Sequence, residues 1–404
     1  MRVRRAAVVL ALGALLAGLA CRENVTAPGS CPSLCPATTM QIVDTVLTGF
    51  VTSDSSYRGY FAPNEAPLLA VADLDSLQAI AVMRFGARDS TWYPATNDTA
   101  VTVGRVDSVR LRFVITGRDT LATGLRIIAY RLPSDFDTGI TWQQAQPYLA
   151  DSLLIDTVQV DDTLTAGTVS WPLSAQGIAR LTAPDTGVAA LAFVVRASRP
   201  TALSVGAIGG GLGSAYLDWY VHAKAPRDTL AHLFSVGAEY DTFLYDPPEG
   251  DPANAIVAGG LPSARAILRL ALPPEVTDSA RLVRATLILT STAPARGLPG
   301  EAFRVSARGL VRDLGPKSIL FSDTSAGGTA PVTVGDSGEI HIEVGRLFRA
   351  WGTTSGDSLP RVVMLLSEPE GQSLAEVTVG RASAGAAAPR LRVTYIRPYA
   401  FGVP

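Results

Sequence analysis

From about residue 41 to the end of the chain, apolar residues occur in short runs, and many of these runs alternate with polar residues. The clearest runs are rich in β-branched residues and lie at 79–85, 109–115, 125–131, 282–289 and 391–395. Turn residues separate them, and no amphipathic helical pattern is long enough to dominate. Alternation with a period of two buries one face of a strand and leaves the other in solvent. The pattern therefore predicts an all-β fold of antiparallel sandwiches.

Several predicted strands alternate arginine with apolar residues, as at 109–113, and the run 265–270 carries two arginines four positions apart. This spacing places Leu268 in a core and turns Arg265 and Arg269 outward. We therefore expect these arginines to be solvated exterior positions and not anion sites.

A divergent internal repeat runs through the chain as eight correspondences in the same order. Asp44–Leu47 recurs as Asp241–Leu244, for example, and the closing run 216–221 parallels 390–395. Conserved order over so many segments is hard to obtain by chance, and a repeat must be recognised before a fold is named. The repeat predicts two tandem sandwiches.

The second half of the chain carries a set of recurring motifs. They are Asp241-Thr242, the strands 265–270 and 283–289, a helical turn at 344–351 with the pattern V-x-x-L-x-x-x-W, and the closing strand 389–395. With these motifs, residues 240–397 resemble the DNRLRE domains of bacterial surface and secreted proteins. Residues 42–224 resemble the family more loosely and keep Thr141-Trp142, which has no counterpart in the second half. The resemblance implies jelly-roll sandwiches and says more about architecture than about activity.

Residues 1–21 have the anatomy of an export signal. Three arginines among the first five residues precede an apolar run at 6–20 that is too short to span a bilayer comfortably, and Cys21 follows. The small residues before Cys21 suit signal-peptidase cleavage. The segment also resembles the lipobox of bacterial lipoproteins, which implies a lipidated Cys21. Cleavage by the ordinary peptidase, which leaves an unmodified thiol at Cys21, stays open as the alternative.

Lipidation would anchor the mature chain to a membrane. Arg22 stands where the family's inner-membrane retention signal has aspartate, so the resemblance implies the outer membrane or cell surface. The proline-rich stretch that follows reads as an extended tether. Export to an oxidising compartment favours a disulfide between Cys31 and Cys35, with free thiols as the alternative.

These features predict the order of segments along the chain. The order is a signal peptide at 1–20, a lipidated tether at 21–41, a first sandwich repeat at 42–224, a linker at 225–239, a second sandwich repeat at 240–397 and a C-terminal tail at 398–404. Basic and acidic residues nearly balance, at a net charge of −2, so nucleic acid is excluded as an expected partner.

The candidate ligand-binding residues are aromatic. Tyr57, Tyr60, Trp92 and Tyr93 fall in loop-like segments of the first repeat. Exposed aromatic rings of this kind stack on pyranose rings in many sugar-binding sandwiches, whereas packing in a core or loop is the alternative.

No catalytic residue, metal site or cofactor is assigned from the sequence. The chain has neither a G-x-S-x-G nor an H-E-x-x-H motif, and its three histidines are widely spaced. The aspartates at 151, 156, 161 and 162 lack the spacing of a calcium loop, although structural calcium held by loop carbonyls stays open. The glycine-rich segment 206–213 opens no helix, which favours a hairpin loop over a phosphate-binding loop.

Three functions stay open on this basis. The favoured one is a surface-anchored bacterial lipoprotein that acts as a non-catalytic structural or adhesive module. The alternatives are a polysaccharide-binding lipoprotein and an exported glycan hydrolase or lyase, which needs paired carboxylates. The expected partners are a membrane, through the N-terminal lipid, and a polysaccharide or another cell-envelope component.

Overall fold

Strands make up most of the protein in a computed structural model. The structure describes residues 42–396 apart from 61–62, 75–76, 95–98, 185, 212, 225–230, 247–252, 262, 274–275, 277–280, 316, 322–325 and 354–358. The predicted all-β fold is confirmed. The signal peptide, the tether with Cys21, Cys31 and Cys35, and the C-terminal tail lie outside the described residues. Within the described ranges, no helix has the length and apolar character needed to cross a membrane.

The chain divides into two units. The larger is Asp44–Tyr395 and holds nearly all of the described strands. The other consists of residues 1–43 and 396–404, of which only Ile42, Val43 and Ile396 are described.

The first half of the chain supplies β1 to β12 and two short helices. The strands are β1 (Ile42–Leu47), β2 (Val51–Arg58), β3 (Leu68–Leu74), β4 (Leu77–Phe85), β5 (Thr91–Trp92), β6 (Val101–Arg118), β7 (Arg126–Arg131), β8 (Leu154–Gln159), β9 (Gly167–Pro172), β10 (Ala190–Arg196), β11 (Thr201–Gly206) and β12 (Tyr216–Ala223). The helices are α1 (Trp142–Ala145) and α2 (Ala175–Leu181). Short 3₁₀ turns occupy Gln146–Leu149, Asp151–Leu153 and Ile208–Gly210.

The second half supplies β13 to β23 and one longer helix. The strands are β13 (Ala231–Asp246), β14 (Ala255–Gly259), β15 (Ala264–Leu270), β16 (Leu282–Thr290), β17 (Ala302–Arg312), β18 (Ile319–Leu320), β19 (Gly328–Thr333), β20 (Glu339–Glu343), β21 (Val362–Glu368), β22 (Glu376–Gly380) and β23 (Arg390–Ile396). The helix is α3 (Gly345–Thr353), and a 3₁₀ turn occupies Gly385–Ala387.

Local sequence accounts for the helices. Thr141 caps α1 through a capping box with Gln144, which satisfies backbone N–H groups that the first turn leaves unpaired. In α3, Leu347 and Phe348 are buried, and the ring of Trp351 stacks on that of Phe348 at 5.0 Å between centroids. The apolar side of α3 thus packs on a sheet and leaves its other side to solvent.

The two halves of the chain have matching sheet orders. In the first, strands follow one another as β13-β12-β6-β9 and as β13-β4-β10-β7-β8, with β3 beside β11. In the second, the equivalent orders are β1-β23-β16-β20 and β2-β15-β21-β17-β19, with β14 beside β22. Every pairing for which a register is defined is antiparallel. These orders match strand for strand. They differ in continuity, because pairing of β11 with β6 joins the first set into one 11-stranded sheet, whereas the second set forms a 4-stranded and an 8-stranded sheet.

The opening strand of each half pairs with the other half. β13 pairs with β12 through its first part and with β4 through its second part. β1 lies beside β23, and β2 pairs with β15 from Val51 to Arg58. Residues 231–239, which the sequence assigns to a linker, are therefore strand, because Phe234, Val236 and Ala238 pack against the core of the first half.

Each apolar core also contains side chains from the opening strand of the other half. Phe243 on β13 belongs to the core formed by first-half strands, together with Leu111 and Leu217. Phe50, at the start of β2, belongs to the core formed by second-half strands, together with Leu268. We call the cluster around Leu111 the first core and the cluster around Leu268 the second core.

Loops of the second half also join the first core. Leu261, Leu298 and Leu374 are all buried in it, although they precede or follow strands of the second half. A Cβ atom on Gly117 of β6 would lie 3.8 Å from Leu298 Cδ1, which places that leucine directly against the first half. An apolar contact of this kind couples the two halves mechanically.

Removal of residues 42–60 is expected to destabilise the second core and to leave the first core protected. The deletion takes away Phe50 and Val51, which are 4% and 8% exposed, and leaves one edge of β15 without its partner strand. Hydrogen exchange followed by mass spectrometry should show faster exchange in 255–393 and little change in 68–223.

A peptide of residues 42–60 added in trans should restore that protection, whereas the same peptide with Phe50→Asp should not. Unchanged exchange in the truncated chain would show that the opening strands are not part of the second core.

Candidate functional site

The four aromatic candidates occupy two separate places in the fold. Tyr57 lies on β2 opposite Arg265 and packs against buried residues on the outer side of that sheet. The Tyr60 ring lies under the Arg265 guanidinium. Trp92 and Tyr93 follow each other at β5, which pairs with β6.

Only one of these four rings is open to solvent. Trp92 is 7% exposed and stacks on His232, with ring centroids 5.2 Å apart and the planes 12° from parallel. Tyr93 is 72% exposed. Tyr57 and Tyr60 are half-buried. The four rings therefore do not present one flat platform for a sugar.

The expectation that Arg265 points into solvent is wrong. Arg265 is 3% exposed, and its guanidinium forms a bidentate pair with Glu370, at 2.6 Å from Nε to Oε1 and 2.7 Å from Nη2 to Oε2. The Ser263 hydroxyl donates to the same carboxylate at 3.1 Å. Arg265 shares the outer face of β15 with Arg269, but the 369–370 segment covers that end of the strand. Arg269 is partly exposed and pairs with Asp313 at 2.6 Å.

Cross-strand ion pairs cover the outer side of the sheet β1-β23-β16-β20, which we call the paired face. Arg392 on β23 binds Asp44 on β1, and the Thr394 hydroxyl donates to the same carboxylate at 3.3 Å. Arg284 on β16 donates to Glu343 on β20 at 2.8 Å.

The remaining pairs of the paired face converge on Glu339. This carboxylate binds Arg390 and lies 3.0 Å from Nε2 of His341, which is exposed on β20. Hydrogen bonds from Arg390 and His341 hold the pKa of Glu339 below its ordinary value. The charges of this face therefore largely neutralise one another.

The matching face of the first half also carries an ion pair between neighbouring strands. Arg112 on β6 donates to both oxygens of Asp218 on β12, at 2.6 and 2.9 Å, and Ser235 on β13 donates to the same carboxylate at 2.7 Å. Burial acts to raise the pKa of Asp218, but the hydrogen bonds from Arg112 and Ser235 outweigh it, so the pKa lies below the ordinary value.

The acidic cluster of the first half serves local backbone structure. Asp156 accepts from the Ser174 N–H beside α2, Asp161 from the Thr163 N–H, and Asp162 from the Gly124 N–H. Within the described ranges, no group of three or more acidic, histidine or cysteine side chains has an arrangement that could hold a metal ion.

Part of the glycine-rich segment, the 3₁₀ turn Ile208–Gly210, lies beside a buried acid. Asp241 Oδ2 accepts the N–H of Ile208 at 2.7 Å, and burial raises the pKa of this carboxyl group. The carboxylate thus occupies the backbone donor that a phosphate-binding loop would offer to its ligand. The loop is a connection between β11 and β12, as its position between two strand runs predicts.

An open groove of about 670 Å³ lies beside the paired face, between β16, β19, β20 and α3. Arg284 from β16 and Arg346 and Arg349 from α3 line it, and we call it the arginine groove. Its walls are completed by Thr329, Val283 and Glu343, with Gly327 and Gly328 at the start of β19. A Cβ atom on Gly328 would overlap the carbonyl oxygen of Glu343, so only glycine allows β19 to approach β20 this closely at that position.

Sequence reasoning missed the arginine groove. The segment 344–351 has an apolar V-x-x-L-x-x-x-W spacing, which places Leu347 in the core. The same spacing puts Arg346 and Arg349 three residues apart on the solvent side of the helix, and this signal was present in the sequence. No pattern in the sequence indicates that Arg284 lies beside this helix.

No protein-family model matches this chain, and no curated protein is similar to it. The lipoprotein and DNRLRE resemblances therefore stay predictions from the residues that carry them.

Replacement of Glu370 by glutamine is expected to lower the free energy of unfolding by about 3 kcal/mol or more, because it removes the carboxylate charge that is paired with the buried Arg265 guanidinium. Glu339→Gln is the matched control, since Glu339 also pairs with an arginine but is solvated, and its effect should be much smaller. Denaturant unfolding at neutral pH measures both. Equal effects of the two substitutions would contradict the burial of Arg265.

Asp241→Asn is expected to change the pH dependence of stability. A raised pKa means that the folded state holds this proton more tightly than the unfolded chain does, so wild-type stability falls as pH rises from the ordinary aspartate value through the raised pKa. Asparagine keeps the acceptor for Ile208 but does not ionise. The free energy of unfolding of the variant should therefore rise relative to that of the wild type across this pH range. Unfolding measured at a series of pH values tests this.

Asp313→Asn is expected to change the pH dependence of stability in the opposite direction. A hydrogen bond from Arg269 lowers the pKa of Asp313, so this carboxylate stabilises the fold above the ordinary aspartate value and that contribution is lost as pH falls through the lowered pKa. Parallel stability curves for the wild type and Asp241→Asn would refute the assignment of a raised pKa to Asp241.

Proposed function

We propose that this protein is an exported, surface-anchored module with a structural or adhesive role and no catalytic activity. The observation that carries the proposal is the exchange of opening strands between the two halves of the chain. Because β1 and β2 complete the second core and β13 completes the first, neither core is built from one half alone.

This exchange suits a protein that is held at its N-terminal end. A pull transmitted along the predicted tether reaches β1 first and β2 next. β2 is held to β15 along its whole length, from the pairing of Val51 with Leu270 to that of Arg58 with Ala264. Separating these strands also withdraws Phe50 from the second core. The anchored end is therefore secured by core packing at the far end of the sequence.

The state of the acidic side chains also supports a non-catalytic role. The acids with a lowered pKa are bound to arginine or to local hydroxyl and N–H donors; they are Asp44, Asp161, Asp218, Asp313 and Glu339. A general acid needs the opposite shift. Asp241 has a raised pKa, but it is 4% exposed and its carboxylate accepts the backbone N–H of Ile208.

Polysaccharide binding is a second candidate, and the arginine groove favours it. The aromatic residues give it less support, since Trp92 is buried against His232 and Tyr93 alone among the four presents an open ring.

Cells that display the full chain are expected to adhere to polysaccharide-coated surfaces more strongly than cells that express Cys21→Ala, because the variant loses its lipid and is released. Retained cells are counted after washing, with equal expression checked in whole cultures. Purified residues 38–404 should release no product from the same polysaccharides.

Two results would contradict the proposal. One is equal adhesion of cells with and without the protein. The other is product release that survives repurification and disappears when a single aspartate or glutamate is replaced.

A further inference from the structure

The residues that line the arginine groove carry an excess of positive charge. They include three arginines and one acid, Glu343. Glu343 Oε2 accepts from Arg284 Nε at 2.8 Å and from the Thr286 hydroxyl at 3.2 Å. Its Oε1 accepts the N–H groups of Ala285 and Gly345, both at 3.2 Å. The four hydrogen bonds that this carboxylate accepts therefore come from β16 and from the start of α3.

The acid of the groove is thus engaged away from the exposed side of α3. Arg346 is exposed, and among the described residues it has no hydrogen-bond or ion-pair partner. Arg349 is also exposed and donates through Nε to the carbonyl of Gly345 at 3.2 Å, which holds its side chain along the helix. Across the groove, the Thr329 hydroxyl accepts from Arg304 on β17, which brings a further positive charge close to the rim.

This arrangement contrasts with the paired face beside it. There, Asp44 and Glu339 each bind an arginine, so a solute meets nearly balanced charge. In the groove, the guanidinium group of Arg346 lies at an open concave surface, and the positive charge of Arg349 lies one helical turn further along. Guanidinium groups bind oxyanions by directing two parallel N–H donors at two oxygens of the anion, and both carboxylate and sulfate groups offer such a pair of oxygens.

We propose that the arginine groove binds the carboxylate or sulfate groups of an acidic polysaccharide, and so supplies the contact by which this module adheres. The inference rests on the proposed adhesive function. An open groove admits a polymer that extends beyond it, Thr329 offers a hydroxyl for sugar hydroxyl groups, and Val283 is the one apolar side chain in the walls. A lipid surface would instead require a broad exposed apolar patch around the charges.

The test measures binding of the full mature chain to polygalacturonate, dextran sulfate and neutral dextran immobilised on a sensor. Wild-type protein should bind the two acidic polymers and not neutral dextran, and binding should weaken as salt concentration rises. Arg346→Gln with Arg349→Gln should weaken binding by about tenfold or more, because two positive charges of the groove are lost.

The matched control is Arg110→Gln with Arg126→Gln. Both of these arginines are exposed strand residues of the first half, and their replacement removes the same total charge. This control should bind as the wild type does. Unfolding curves for both double variants should match the wild type, since all four side chains are exposed.

Three outcomes would overturn the inference: no binding to either acidic polymer, equal loss in both double variants, or binding to phosphatidylglycerol vesicles with none to the polymers. The fate of the proposed function is read separately from cell adhesion. If Arg346→Gln with Arg349→Gln abolishes polymer binding and leaves adhesion unchanged, the groove is not the adhesive contact although the adhesive function stands.

Discussion

Completion of each core by a strand from the other half is the constraint on which the rest of this structure depends. A sheet edge leaves a row of backbone N–H and C=O groups unpaired, and β4, β12, β15 and β23 would all have such edges without the exchanged strands. β13 covers two of them, because its first part pairs with β12 and its second part with β4. β1 and β2 occupy the equivalent places beside β23 and β15. The exchanged segments differ in one respect, because the N-terminal one is interrupted at a glycine and β13 is continuous. Gly49 has a φ of +67°, and β1 ends before it at Leu47 while β2 begins after it at Val51. β13 instead passes from β12 to β4 without a break, by a register shift between Ala238 and Tyr240.

The sequence predicted much of this architecture because strand alternation is a local signal. The runs at 79–85, 109–115 and 282–289 are confirmed as β4, β6 and β16, and Leu268 is buried as its spacing predicts. The sequence does not show which strand each opening strand pairs with. Asp44–Leu47 and Asp241–Leu244 have nearly the same sequence pattern, but Asp44 lies on β1 beside β23, whereas Asp241–Leu244 pairs with β4, so the match does not identify equivalent strands. Seven residues, 224–230, separate β12 from β13, and neighbours in sequence tend to pair. With β13 used in the first half, β1 and β2 are left for the second.

The side chains whose surroundings could not be read from the sequence depend on distant partners. Arg265 looks like any outward arginine of an alternating strand, and the residue that allows its burial, Glu370, lies 105 positions away. Trp92 looks like a loop aromatic until β5 pairs with β6 and His232 stacks on its ring. The arginine groove likewise needs a strand end and a helix from separate parts of the chain. Periodicity reports which side of its own element a residue occupies, and it carries no information about what other segment covers that side.

The distribution of charge then gives the two surfaces of the second half different chemical characters. On the paired face, each acid forms an ion pair with an arginine of another strand, so the charges largely neutralise one another. In the arginine groove, Glu343 is the acid among the lining residues, and it is bound to β16 and to the start of α3. That same carboxylate fixes the position of α3 against the sheet. The contact that builds the groove is therefore also the reason that Arg346 keeps its charge available to a ligand.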